Sequence, residues 1–208
     1  MKRIAVIVAV IIGVIFSVNA FAQDRMPPIP YDKMTDLQKK YVDEIRKGPR
    51  GAISGPFNPL LRSPELMDRT QRIGEYLRYK SAIGNRLSEF VILLISRQWT
   101  QQIEWTSHSP LALKTGTKQE VIQAIAEGRR PVGMNDDEEM LYNFVMELQT
   151  NKNISDATYD RVLKRFGEQG VIDTLGIAGY YTYIAMVMNG TRTAVPGNKP
   201  APLKPFPF

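Results

Sequence analysis

One stretch of this chain holds residues whose types and spacing can move a proton. His108 is the only histidine in the 208 residues, and Glu104 precedes it by one helical turn. Gln101, Glu104 and His108 recur at i, i+3 and i+7, a spacing that puts all three on one face of a helix. A carboxylate one turn before a histidine favours the imidazolium and can orient the ring. Upstream, Glu89 interrupts an otherwise apolar run, Phe90-Val-Ile-Leu-Leu-Ile95. If Glu89 faces inward beside His108, the two can pass a proton between them, the minimum equipment for general acid–base chemistry. The plainer reading stays open: Glu-x-x-x-His on a helix is also the pattern of a surface ion pair, and a lone histidine can be incidental. One histidine with two glutamates could in principle hold iron or zinc. With no second histidine and no HExxH motif, no metal is expected.

Composition narrows the chemistry further. The chain has no cysteine, so disulfides, thiolate metal sites, a cysteine nucleophile and CxxC redox centres are excluded. At 43% hydrophobic and 23% charged it can bury a full core as one domain. Formal net charge is +6. Basic residues are scattered, with no run longer than Lys39-Lys40 or Arg129-Arg130. Without a dense basic patch or a nucleic-acid-binding module, no nucleic-acid partner is expected.

The elements that must position His108 are clearly punctuated. Residues 1–22 read as a signal peptide: a cationic Met1-Lys2-Arg3, an apolar run from Ile4 to Phe16, and Ala20-Phe21-Ala22 in the small-x-small form of a cleavage site. Thirteen apolar residues are short for a bilayer span. The expectation is cleavage before Gln23, a periplasmic or secreted protein, and no stable membrane span afterwards. Residues 23–62 form an N-terminal section: a proline-rich arm, a helix from about Asp36 to Lys47, and a glycine- and proline-rich loop over 48–62. That loop is predicted to be non-helical, to pack on the body through Ile53, Phe57, Leu60 and Leu61, and potentially to cover a site.

Residues 63–193 read as a run of helices. One opens at Ser63-Pro64-Glu65 and runs to about Ala82. An apolar helix spans about Arg86–Trp99, and another about Gln101–Lys114. Thr117-x-x-Glu120 predicts a capping box for a short helix ending at Gly128. Asn135 and Ser155 should cap helices to about Thr150 and Phe166, and a last helix should cover about Val171–Met188. The Tyr180–Tyr183 cluster with Gly176 and Gly179 reads as close helix packing. Residues 194–208 hold five prolines and form an irregular tail. The fold class is therefore all-α, a helical bundle with proline-rich N- and C-terminal arms. Such arms commonly wrap a neighbouring subunit, so a homo-oligomer is expected.

Arg86-Leu-Ser-Glu89, an apolar helix, then Glu104-Trp105-x-x-His108-x-x-x-Ala112-x-x-x-Gly116 resembles the core of the carboxymuconolactone decarboxylase family, which also contains the alkylhydroperoxidase D proteins. The likeness covers roughly residues 60–130, and the later helices loosely. It implies an alkylhydroperoxidase D-like bundle. In the peroxidase branch the motif is a Glu, a CxxC pair and a His. Glu89 and His108 fall on the Glu and His positions, whereas Gln101 and Glu104 stand where the cysteines would be. Thiol-based peroxide reduction is thereby excluded.

What remains resembles the decarboxylase branch, which works without a cofactor on an anionic lactone. Loss of CO2 leaves a dienolate that needs hydrogen-bond or cationic stabilisation and a carbon that must be protonated. The resemblance thus implies His108 as general acid or base, oriented by Glu104 or Glu89, acting on a small carboxylate or lactone with no cofactor. A substrate carboxylate would want an arginine fork. Arg97, at the end of the apolar helix, is the first candidate, then Arg50 in the loop, with Arg86 and Arg72 behind them. Gln101 and Trp105 are the other candidate lining residues, although core packing is the default reading for both Trp99 and Trp105. The export signal and the added arms depart from the decarboxylase pattern, so two alternatives stand: a non-catalytic periplasmic ligand-binding protein of the same fold, or a metal-dependent oxidoreductase using His108, Glu89 and Glu104.

Overall fold

The computed structural model describes residues 24–198 and 201–205; the expected signal peptide lies outside them. Among these residues there are eight α-helices, two single 3-10 turns and no strand. The helices are α1 (Asp36–Lys47), α2 (Phe57–Leu60), α3 (Pro64–Tyr79), α4 (Gly84–Gln98), α5 (Gln102–Lys114), α6 (Gln119–Ala126), α7 (Asp136–Asn151) and α8 (Asp156–Thr191).

Helix α4 is the axis of the bundle. Every residue from Leu87 to Arg97 is buried, and α3, α5, α6, α7 and α8 all pack around it. A helix apolar on all sides must be enclosed on all sides, which is why the Phe90–Ile95 run dictates the architecture. A second, smaller core lies under the N-terminal section, where Val42 and Ile45 of α1 meet Phe57, Leu60, Leu61 and Met67.

Several boundaries follow the sequence signals. Thr35 and Gln38 form a reciprocal capping box on α1, and Asn135 and Glu138 form another on α7. Other signals gave way. The 48–62 loop contains the short helix α2, because Pro56 and Pro59 fall before and within a first turn, where a missing N–H costs nothing. The Thr117 capping box does not form: Lys118 is the N-cap of α6, and the Thr117 hydroxyl is buried without a hydrogen bond. The two expected C-terminal helices run on as α8 across a break at Gly167, whose φ of 71° lies in the left-handed region. By length and composition α8 could cross a membrane, but 56% of its most apolar window is buried inside the bundle, as in a core helix.

The described parts of both arms hold their own chain. The Arg25 N–H donates to the Thr191 carbonyl at 2.9 Å. The Gln102 side chain pairs with both backbone groups of Leu203, each at 2.9 Å.

The α4–α5 turn is the local structure on which the site depends. Gln101 has extended dihedrals and lies outside the helix. Its Oε1 accepts from the Ile103 and Glu104 N–H groups, and its Nε2 donates to Asn189 Oδ1 at 2.9 Å. Asn189 in turn donates to the Trp99 carbonyl at 3.0 Å, so α8 pins the turn from outside. Thr100 makes the turn with a φ of 45°, costly for a β-branched residue. Gln101→Ala is expected to lower stability by about 1–2 kcal/mol through loss of the cap. Thr100→Gly is expected to raise it by about 1 kcal/mol through relief of the left-handed conformation. Urea unfolding of the two variants checks both signs.

Candidate active site

Helices α4 and α5 bring the sequence-predicted proton-transfer residues together. Glu89 is 2% exposed, and its Oε2 lies 2.5 Å from His108 Nδ1. On the other side of the ring, His108 Nε2 lies 3.2 Å from Glu104 Oε2. Glu104 and His108 share a face of α5, as the spacing requires, while Glu89 reaches them from the buried face of α4. The edge of the Tyr181 ring from α8 closes on the imidazole, with centroids 5.3 Å apart.

Burial works against the charged imidazole. The hydrogen bonds and charges of Glu104 and Glu89 outweigh it, and the pKa of His108 is raised above its ordinary 6.5. Both ring nitrogens thus face carboxylates, and the imidazolium is the favoured form. Among the described residues no group of three His, Asp or Glu side chains is arranged to hold a metal ion.

His108 and Glu104 line a cavity of about 120 Å³, together with Arg50, Arg78, Ser107, Phe57, Tyr180 and Tyr181. The Gly/Pro loop covers this cavity through residues 54–57, as its composition suggested. Arg50 therefore lies where the sequence reading put it, with its guanidinium 4.7 Å from the Phe57 ring centroid.

Three other expectations for the site do not hold. Arg97 is buried on another side of α4, where its Nη1 donates to the Lys204 carbonyl at 2.7 Å and it lines a different, smaller cavity. Arg97 follows Glu89 by eight residues, about 80° around the helix and about 12 Å along it, which takes it to a different face. Gln101 is the cap of α5 and does not line the cavity. Trp105 is buried in the main core, which settles its alternative in favour of packing. Arg86 pairs with buried Glu138 at 2.6 Å, and Arg72 pairs with Asp68 and Glu44.

The residues missed were Arg78, Tyr180 and Tyr181. Arg78, on α3, has its Nη2 3.8 Å from Glu89 Oε1. Burial penalises its charge, but the surroundings, Tyr181, Tyr79 and the two glutamates, more than offset that, and its pKa is raised. Burial also holds Tyr180 and Tyr181 as phenols: Tyr180 is pushed up to about 12 and Tyr181 well above 10. The reading of these tyrosines as helix packing was half right, since they pack and also wall the cavity. One sequence signal could have pointed to this corner. Gly74 sits in mid-helix, where glycine is unfavourable unless something approaches closely. A Cβ there would collide with the Tyr180 hydroxyl and crowd Arg50 Nη2.

No protein-family profile and no curated protein matches the sequence. Among solved structures, the chain is similar to an uncharacterized peroxidase-related protein from Silicibacter sp. TM1040. The two share 12% identity with a TM-score of 0.64, over 82% of this chain and 91% of that one. The likeness shows the fold: this is an all-α, alkylhydroperoxidase D-like bundle.

Proposed function

We propose that the protein is a cofactor-free lyase, a cysteine-less relative of the carboxymuconolactone decarboxylases, exported to the periplasm and acting on a small carboxylate or lactone by proton transfer. The observation that carries this reading is His108 held between Glu89 and Glu104 at the wall of a cavity. In a decarboxylation the C–C bond to the carboxylate breaks, CO2 leaves, and its electron pair passes into a dienolate. A proton must then reach carbon. Glu89 lies on the closed side of His108 and fixes the ring. His108 and Glu104 both line the cavity, with Glu104 Oε2 3.2 Å from Nε2, so the proton passes to the substrate from His108 itself or by way of the Glu104 carboxyl. Solvent restores it, because each turnover consumes one proton. Cavity-lining Tyr180 and Tyr181, both held as phenols, are the hydrogen-bond donors available to the dienolate oxygen.

Screening the purified chain against small aromatic-derived acids and lactones tests this reading. On any substrate that turns over, His108→Ala is expected to lower kcat by roughly 10²–10⁴-fold, the usual weight of general acid–base catalysis. Equal turnover by both proteins would remove His108 from the mechanism.

The protonation state has its own test. The charged form of His108 is stabilised in the folded state. Its contribution to stability is therefore complete below pH 6.5 and is lost as pH rises through the raised folded value. With one histidine and no cysteine, no other side chain has its ordinary pKa between about pH 6 and 8. The urea midpoint of the native chain is expected to fall as pH climbs from 6.5, and that of His108→Gln to stay level over the same window. A native midpoint that rises instead would mean that the ring is buried neutral.

A further inference from the structure

Two cavity arginines carry hydrogen-bonding capacity that the protein meets only in part. Arg50 Nε and Nη2 and Arg78 Nε are buried without a well-formed hydrogen bond among the described residues, with the Tyr180 hydroxyl alongside Arg50, and both side chains line the cavity beside His108. A buried polar group without a partner is costly, more so when it belongs to a charged guanidinium. Among the described residues Arg50 has no carboxylate partner, and Arg78 shares Glu89 with His108. The carboxylate nearest Arg78 is Glu89, at 3.8 Å, and Glu89 is held more closely by His108, at 2.5 Å. Around the cavity three cations, Arg50, Arg78 and the imidazolium, face two carboxylates, Glu89 and Glu104. One net positive charge is left over.

The protein holds this arrangement in place. The Arg50 guanidinium lies 4.7 Å from the Phe57 ring centroid. Gly74 supplies the space into which Arg50 Nη2 and the Tyr180 hydroxyl fit. A planar guanidinium matches a carboxylate, and a single surplus charge matches a single negative one.

We infer that Arg50 and Arg78 form a clamp for the carboxylate of a monoanionic ligand. This inference builds on the acid–base reading of the same cavity and adds the end of the substrate that the enzyme grips. Arg78 is accordingly a specificity-determining residue that its sequence context does not disclose.

Titration calorimetry of the full chain tests it, with benzoate as the monocarboxylate, benzamide as its neutral counterpart and inorganic phosphate as the competing anion. Benzoate is expected to bind in preference to both. Arg50→Gln, Arg78→Gln and Arg78→Lys are each expected to weaken it roughly tenfold or more, the last because a lysine keeps the charge and loses the fork. Arg50 lies on a loop, so Arg50→Gln reports on the clamp even if the Arg78 variants fail to fold. Gly74→Ala is a second check. Helix propensity alone would make it stabilising, but it should cost benzoate affinity with both arginines present. Benzoate binding that is absent at millimolar concentration, matched by benzamide, exceeded by phosphate, or unchanged in Arg50→Gln would overturn the clamp. Failure of the clamp alongside His108-dependent turnover would leave the acid–base reading standing. A carboxylate clamp without His108-dependent turnover would do the reverse.

Discussion

Placing two carboxylates and an imidazolium out of water is the constraint that the rest of this structure serves. Each ion loses hydration on burial, and mutual attraction repays the loss only when the geometry is close and the remaining lone pairs and protons are met. Glu89 and Glu104 meet both nitrogens of His108, so the ring itself is satisfied. The carboxylates come from different helices, so this satisfaction exists only when α4 and α5 lie side by side in one register. The strained Thr100, the Gln101 cap and the Asn189 bridge set that register. A local backbone cost and a buried polar side chain at the turn are thus the structural counterpart of a charged triad a few residues away.

Helices α3 and α8 complete the electrostatics. Without Arg78 the buried group would carry a net negative charge against a low-dielectric core, and with Arg78 it is neutral. Arg50, brought in by the N-terminal loop, then tips the cavity positive. Close approach makes this possible: Gly74 on α3 admits Tyr180, and Gly176 on α8 lies against Leu77. The same helix-to-helix contact therefore sets the packing distance and puts both the arginine and the two phenols at the cavity wall.

The parts of the molecule legible in its sequence were those governed by local rules. The apolar run of α4, the caps at Asn135 and Ser155, and the Glu104–His108 spacing depend on local stretches of chain. Glu89 was legible too, because a carboxylate inside a wholly buried helix must find a partner. Arg97 was misplaced for an instructive reason. Proximity along the chain suggested proximity in space, yet eight residues after Glu89 an α-helix has turned by a net of about 80° and risen about 12 Å, which gives Arg97 a different neighbour. Arg78, Tyr180 and Tyr181 reach the site from α3 and α8 by tertiary packing alone. No pattern inside either helix encodes that meeting, apart from the single misplaced-looking glycine.

Two positions set this chain apart from the thiol motif that it resembles. By the resemblance to the alkylhydroperoxidase D proteins, Gln101 and Glu104 stand where a thiol pair would be. In this chain neither position is vacant. Gln101 caps α5 and fastens it to α8, so its side chain holds the turn. Glu104 has been taken over by the histidine, giving the imidazole a second carboxylate in place of a thiol to deprotonate. A histidine that relays protons for a thiol needs only a modest hold on its proton. One gripped from both sides by carboxylates is held protonated, and a protonated imidazole beside two cavity arginines suits an anion that must gain a proton. Two carboxylates on one imidazole, in a chain without a thiol, equip this corner to hold a proton rather than an electron pair for exchange.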